Sequence, residues 1–377
     1  MADREFFFVT CAPGLEPLLH AEARELKLSK VERQVGGIQF EGTLADAMRA
    51  NLWMRTAVRV LLRVARFDAS DDKLLYAGAS AVDWNRFLTS DGSFAIDAHT
   101  NASVLDHTLF IEQRVKDAIV DGFRSREGKR PNVDKDDPDL SVHVHLVKNR
   151  ATLLVDTSGE SLHKRGWRRY QGRAPISETL AAALVLYSGW DLRAPLIDPF
   201  CGGGTILIEA ALIARNIAPG FKRERFSFQR WPGYDAAAWK ALVSAAQRAA
   251  KPKLRLNLHG SDWDPATIAG ANENLAGAGL EGEIEFNLAE ATEWEPRKGW
   301  NAWIVTNPPY GERVGAERGL EESYRRFGEF LRTRCSGYTL ALLTSNPRLA
   351  EALALKDAER RALLNGPLEC VLLTARL

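Results

Sequence analysis

The chain is poor in cysteine: four occur, Cys11, Cys201, Cys335 and Cys370, widely spaced and without a CxxC pair. That argues against a zinc ribbon or a disulfide framework, so no metal is expected and a reducing, cytoplasmic setting fits. Long hydrophobic runs are missing as well; a membrane helix needs roughly 20 apolar residues. Asp3, Arg4 and Glu5 precede only a short apolar run, which is no signal peptide. No membrane partner is expected. Excess charge of one sign is also absent, since the formal net charge is +1, so any nucleic-acid footprint must be local. Internal repeats and low-complexity tracts are not found.

What is present is a chain of 377 residues, 45% of them hydrophobic, long enough for two or three packed domains. Alternating and helical apolar periods predict a strand over 5–11, a helix over 14–27, a strand over 31–40, a helix over 44–54 and a strand over 57–66. This β-α-β-α-β order suggests a small ferredoxin-like unit over residues 1–66. A second α+β module follows over 67–160, with a helix near 73–87, a strand over 93–100, a basic helix over 110–126 and a hairpin over 141–155 turning at Lys148-Asn149-Arg150.

The third part, residues 161–377, carries the chemistry. Pro195 to Phe200 runs into Cys201-Gly202-Gly203-Gly204-Thr205 and an apolar helix over 206–214. Strand, glycine turn and helix make a nucleotide-type site, because glycines admit a ligand close to the backbone and a helix start supplies free N–H groups. The Lys-Ser/Thr of a phosphate-binding loop is missing, and Leu207 stands where a dinucleotide site needs its third glycine. An adenosyl group without a pyrophosphate remains. A strand over 256–262 ends in Asp262, suited to ribose hydroxyls, and one over 284–290 ends in Glu290, suited to an adenine amine.

The apolar run 302–306 then closes on Asn307-Pro308-Pro309-Tyr310. Two prolines fix the backbone and remove two donors, leaving a rigid acceptor platform beside an aromatic face. It suits an exocyclic amine on a flat base. The tetrapeptide alone does not decide between a guanine and an adenine amine.

Together, Asp198-Pro199-Phe200-Cys201-Gly202-Gly203-Gly204-Thr205, Gly260-Ser261-Asp262 and Asn307-Pro308-Pro309-Tyr310-Gly311-Glu312-Arg313 resemble the S-adenosylmethionine-dependent RNA guanine-N2 methyltransferases that carry a THUMP domain. The segments Leu162 to Trp167 and Asn365-Gly366-Pro367-Leu368-Glu369-Cys370 look most like the bacterial 23S ribosomal RNA enzymes. The resemblance implies an α/β fold, with a Rossmann-like methyltransferase domain after ferredoxin-like and THUMP units. It implies S-adenosylmethionine as cofactor and 23S ribosomal RNA, or a large-subunit assembly intermediate, as partner. By the same resemblance Asn307, Pro308 and Tyr310 are catalytic. Asp198, Phe200, Gly202, Gly204, Thr205, Asp262, Trp263, Glu290, Ala291 and Asn307 hold the cofactor, with Arg173, Pro175 and Glu178 covering it. Glu290 departs from the family's usual Asp. The sequence ends at Leu377, so the second methyltransferase domain of larger members is not expected.

Between the second module and the glycine loop, residues 162–173 carry Lys164, Arg165, Arg168, Arg169 and Arg173 with Trp167 and Tyr170, and no acidic residue. Basic groups contact phosphates and aromatics stack on unpaired bases. Lys164, Arg165, Trp167, Arg168 and Arg169 are therefore RNA-contact candidates, with Arg313 added by the resemblance; Trp167 alone equally suits an interdomain seam. A similar run, Lys222 to Trp231, either binds RNA or packs an insertion down. Competing readings are a transfer RNA guanine-N2 enzyme, a DNA adenine-N6 enzyme acting on a flipped base, and a silent RNA-binding assembly factor. A cytosine-C5 enzyme is disfavoured, because Cys201 lies inside the glycine loop.

Overall fold

β1 (Glu5–Thr10) buries Phe7 and Val9 and leaves Phe6 and Phe8 partly open, the period-two pattern of a sheet covered on one face. The computed structural model to which it belongs describes residues 4–172, 175–253, 257–297, 299–310 and 317–377. α1 (Glu16–Glu25) follows. The single strand expected over 31–40 is instead a hairpin of β2 (Ser29–Gln34) and β3 (Gly37–Gly42). Gly36 makes the turn at φ +77°, a left-handed conformation that side chains disfavour. α2 (Leu44–Trp53) starts on a capping box, Thr43 and Asp46 each accepting from the other's backbone N–H. With β4 (Arg59–Asp68) the unit is β-α-β-β-α-β.

The second module holds α3 (Asp72–Ser80), β5 (Ser93–Asn101), α4 (Thr108–Glu127), β6 (Asn132–Val133), β7 (Leu140–Val147) and β8 (Arg150–Asp156). The helix expected to reach 87 stops at Ser80, because the buried Trp84 indole donates back to the Ala79 carbonyl at 2.9 Å and turns the chain. Lys148 and Asn149, both at positive φ, form the expected hairpin turn. β4 pairs with β1 on one side and β8 on the other, so both modules share one eight-stranded sheet, ordered β2-β3-β1-β4-β8-β7-β5-β6.

The third part runs α5 (Glu178–Tyr187), β9 (Leu196–Asp198), α6 (Thr205–Ala214), α7 (Ala236–Ala249), β10 (Leu258–Asp262), α8 (Pro265–Ala278), β11 (Glu285–Leu288), β12 (Trp303–Thr306), α9 (Glu317–Arg334), β13 (Thr339–Thr344), α10 (Pro347–Ala352), β14 (Glu359–Asn365) and β15 (Leu368–Arg376). Its sheet is ordered β11-β10-β9-β12-β13-β15-β14, parallel through β13 and antiparallel at β15 and β14. α5 and α6 are almost wholly apolar, as helices enclosed in a core are, each carrying one buried glutamate, Glu178 and Glu209.

The insertion after α6 joins the two halves. Arg223 donates to the carbonyls of Ser161, Lys164 and Glu160, Arg225 and Arg230 pair with Asp137, and Phe226, Phe228 and Trp231 are buried. Of the two readings of this run, the structure carries the packing one. A single buried apolar cluster extends from Phe7 and Val9 through Trp167 to Leu207 and Leu343.

Candidate active site

From β9 the chain moves outward to β10 and β11, then returns to the other side of β9 as β12. Loops leaving the carboxyl ends of β9 and β12 therefore diverge and open a crevice, the general ligand position in such sheets. Asp198 ends β9 and Thr306 ends β12, and the Thr306 hydroxyl donates to Asp198 Oδ1 at 2.6 Å. Phe200 N–H donates to the same oxygen at 3.2 Å. Oδ2 is buried with no hydrogen-bond partner among the described residues. Burial pushes this carboxyl up to about 7; the two hydrogen bonds oppose the shift and Asp262 adds to it.

The glycine loop is shaped by two left-handed residues, Gly202 at φ +51° and Gly204 at φ +77°. They do different work. A Cβ on Gly204 would lie 2.6 Å from the Phe286 ring, whereas nothing stands within 4 Å of one on Gly202. Gly204 is needed for packing and Gly202 faces open space. Gly202 N–H donates to Asp262 Oδ2 at 3.2 Å, and Asp264 N–H donates to Asp262 Oδ1 at 3.1 Å. Asp262 is half-buried and its carboxyl is raised, chiefly by burial. Trp263 beside it is 67% exposed. Thr205 is buried at the first position of α6, and Phe200 sets its ring edge-on to Phe327 at 5.1 Å. Cys201 is buried with its thiol pushed well up by burial, which leaves no thiolate nucleophile.

One strand further, Ala289 N–H bonds the Asp262 carbonyl at 3.1 Å, placing Glu290 exposed at the rim and Ala291 buried beneath it. Asn307 follows β12 directly. Its Oδ1 is buried with no hydrogen-bond partner among the described residues. Pro308 is buried and Tyr310 half-buried, its hydroxyl accepting from Asn365 Nδ2 at 2.8 Å. Burial holds the Tyr310 phenol well above its ordinary range and so neutral.

The segment before the glycine loop departs from expectation. Arg165 and Trp167 are each 1% exposed, which corrects their assignment to RNA. Arg165 donates to the Leu162 carbonyl at 2.8 Å, to the Arg55 carbonyl, and to the buried Glu209 at 3.4 Å. Arg168 is likewise turned inward, binding Glu178 at 2.8 Å and the Ile176 carbonyl at 2.9 Å. Glu178, expected over the cofactor, is buried against that guanidinium. Lys164 and Arg169 stand exposed, Lys164 paired with Glu160 at 2.7 Å, and Pro175 is exposed. Arg173 and Arg313 lie outside the described residues.

Asn274 was not anticipated. From the buried side of α8 its Oδ1 accepts from Arg169 N at 2.7 Å and Tyr170 N at 2.8 Å, while Nδ2 donates to Tyr170 O at 3.0 Å and Gly203 O at 2.9 Å. One side chain therefore latches the linker to the glycine loop. Tyr170 packs over Gly270, where a Cβ would overlap its ring. The available signal was an asparagine inside an apolar helix, a residue type that usually favours caps and turns.

The carboxyl ends of β9, β10 and β12 thus gather acceptors: Asp198 Oδ2 and Asn307 Oδ1, buried without a hydrogen-bond partner among the described residues, and the half-buried Asp262 beside Gly202, which faces open space. This set fits a cationic adenosyl ligand and disfavours a phosphate. Among the described residues no group of three or more His, Cys, Asp or Glu could hold a metal, and no helix is long and apolar enough to cross a membrane.

Comparison with known proteins agrees with this architecture. Residues 165–374 match the family model described as RMKL-like, methyltransferase domain; residues 6–61 match the RlmL ferredoxin-like domain and 69–156 the THUMP domain. The ribosomal RNA large subunit methyltransferase K/L of Pseudomonas paraeruginosa is 42% identical over 382 residues, covering 99% of this chain and 53% of that protein. The chain spans about half the length of the curated relatives it matches. The crystal structure of SMU.472 complexed with SAH aligns at TM-score 0.91 and 30% identity, covering 100% of this chain and 99% of that one. That of a predicted N6-adenine-specific DNA methylase from Listeria monocytogenes aligns at TM-score 0.90 and 33% identity, covering 99% and 96%. The chain belongs to the RMKL-like methyltransferase family, its catalytic domain preceded by RlmL-type ferredoxin-like and THUMP domains.

Proposed function

We propose that the protein transfers a methyl group from S-adenosylmethionine to N2 of a guanosine in 23S ribosomal RNA. The observation that carries this reading is the buried Oδ1 of Asn307, without a hydrogen-bond partner among the described residues, at the end of β12, next to the strand that ends in Asp198. The cofactor supplies an electrophilic methyl on a sulfonium. Asp198 Oδ2 would accept from its ammonium group, Gly202 would line its methionine end with Gly204 shaping the turn behind it, and Asp262 would accept from its ribose. Glu290 and the Ala291 backbone take the adenine, and the exposed Trp263 is available to cover it.

The guanine amine is a weak nucleophile because its lone pair is delocalised into the ring. Asn307 Oδ1 and the Pro308 carbonyl each accept one amine hydrogen, which favours a more tetrahedral nitrogen. Tyr310 lies against the base face and limits its lean. Rate then comes from positioning and electrostatics. After transfer the nitrogen is acidic and loses its proton to water, so no strong base is needed. Relatives named for the large ribosomal RNA and the THUMP match support a ribosomal substrate.

A DNA adenine-N6 reading shares the acceptor platform, and the Listeria protein is described in those terms. A transfer RNA guanosine is the other competitor. Mapping N2-methylguanosine in ribosomal RNA from cells with and without the protein tests the proposal, beside methyl transfer assays on ribosomal RNA, transfer RNA and DNA. Unchanged ribosomal RNA together with methylated DNA would replace it with the adenine reading.

A further inference from the structure

We propose that Asn365 is a positioning residue for methyl transfer, acting through the hydroxyl of Tyr310. The inference rests on the base-facing role given to Tyr310 above and adds the group that holds it.

Tyr310 follows two prolines in the segment leaving β12, and the tip of its ring needs an anchor. That anchor comes from a hairpin 55 residues further on. Asn365 ends β14, pairs with Leu368 across the turn at Gly366, and donates through Nδ2 to the Tyr310 hydroxyl at 2.8 Å. The Cys370 thiol on β15 approaches the same oxygen at 3.9 Å. Both contacts come from the same β14–β15 hairpin, whose β15 pairs with β13 from Val371 to Arg376.

The hairpin is braced from behind by the N-terminal unit. A Cβ on Gly14 would lie 2.6 Å from the Ala362 carbonyl and 2.9 Å from Leu363, so the two backbones are in close contact. The Tyr187 hydroxyl donates to the Gly14 carbonyl at 2.6 Å and closes that joint. Tyr310 itself packs against both large apolar clusters of the molecule.

The geometry defines what the bond can do. A tyrosine hydroxyl lies on the axis about which the ring flips, so a hydrogen bond there does not stop rotation. It fixes the tilt of the ring, and tilt sets the distance and angle at which a flat base can lie against it. Small errors of position cost rate steeply in a reaction that depends on alignment. Asn365 contributes no atom to the pocket named above, so its effect falls on turnover and not on cofactor affinity.

Five proteins test this: wild type, Asn365→Ala, Asn365→Gln, Tyr310→Phe and the double variant of Asn365→Ala with Tyr310→Phe, each assayed for kcat, KM and S-adenosylmethionine affinity, with thermal melting as a control for folding. Asn365→Ala should lower kcat about tenfold or more, leave cofactor affinity unchanged, and add nothing in the Tyr310→Phe background, where the hydroxyl is already gone. Asn365→Gln, which keeps the amide donor, should recover part of the rate. In protein labelled with 3-fluorotyrosine, the Tyr310 resonance, assigned by its loss in Tyr310→Phe, should move in Asn365→Ala. Penalties that add in the double variant, or an unmoved resonance, would overturn the proposal. A wild type inert on ribosomal RNA but active on another base removes the substrate reading alone, and the same comparison on that base decides Asn365.

Discussion

Thr306 donates to Asp198 across the switch point of the sheet, a 2.6 Å bond between the last residues of β12 and β9. It ties the strand that presents Asn307 to the carboxylate assigned to the cofactor. The bond uses one Asp198 oxygen and leaves the other buried and, among the described residues, without a hydrogen-bond partner. Acceptor platform and cofactor pocket are thereby held in one register, and the cost is a carboxyl group kept largely out of water.

That cost predicts a pH dependence. Burial raises the Asp198 carboxyl from its usual 3.8 to about 7, so the folded chain holds this proton more tightly than the unfolded chain does. Between those values the folded state binds more protons, and the Asp198 contribution to stability falls as pH rises. Asn at this position removes the effect. The stability of Asp198→Asn relative to wild type should grow between pH 4 and pH 8, by on the order of a few kcal/mol at about 1.36 kcal/mol per unit. A bound cation favours the ionised form, so wild-type cofactor affinity should rise about tenfold per unit from pH 5 to 7, and the variant should lack that slope. Urea denaturation and calorimetry at several pH values read both; parallel pH profiles for the two proteins would refute the buried, proton-linked Asp198.

Asn307→Ala removes one of two amine acceptors and leaves the glycine loop and Asp262 in place. Turnover should fall about a hundredfold or more, the range seen when one preorganised polar contact is lost. Cofactor affinity should change far less, because the contacts assigned to ribose and ammonium survive. Single-turnover rates with calorimetry check this, and near-normal turnover would remove Asn307 from the mechanism.

The ends of β9, β10 and β12 were legible in the sequence because their chemistry is local, an apolar run closing on a carboxylate or amide, whereas β11 stops at Leu288, two residues before the Glu290 at which it was expected to end. Other features were not. Thr306 and Asp198 are 108 residues apart, and Asn274 meets Tyr170 over 104; no local period records such pairings. The segment 162–173 misled for a different reason. Arginine and tryptophan have the same composition whether they face a phosphate or a buried glutamate, and an irregular segment has no periodicity to tell inside from outside. Glu209, the partner that turns Arg165 inward, sits on α6. The β2–β3 hairpin was hidden because two short strands and their glycine turn read as one run.

Asn274→Ala should unlatch the linker from the glycine loop. It leaves four backbone groups without their partner, and each buried orphan costs about 1–3 kcal/mol unless water reaches it. Stability should fall, and cofactor affinity should fall with it because Gly203 loses its brace. Asn274→Asp separates the two halves of the latch, since a carboxylate still accepts from Arg169 and Tyr170 but cannot donate to Gly203. An alanine variant with unchanged melting temperature and cofactor affinity would mean that the latch is dispensable.

The linker arginines now divide into two experiments. Arg165→Gln leaves Glu209 buried without its nearest cation, and breaking such a pair typically costs about 3–5 kcal/mol. Burial already raises the Glu209 carboxyl, against the pull of Arg165 and Arg55, so the variant should be least impaired at low pH, where that group is protonated. Arg169 is exposed, and its backbone N–H donates to Asn274. Arg169→Gln should leave the melting temperature unchanged. If Arg169 neutralises a phosphate of a single strand, the log–log slope of RNA affinity against salt should flatten by about 0.7. RNA titrations at several salt concentrations decide it: superimposable plots for Arg169→Gln and wild type would end the RNA-contact reading of this residue, while an Arg165→Gln protein as stable as wild type would show that the buried pair does not hold the seam.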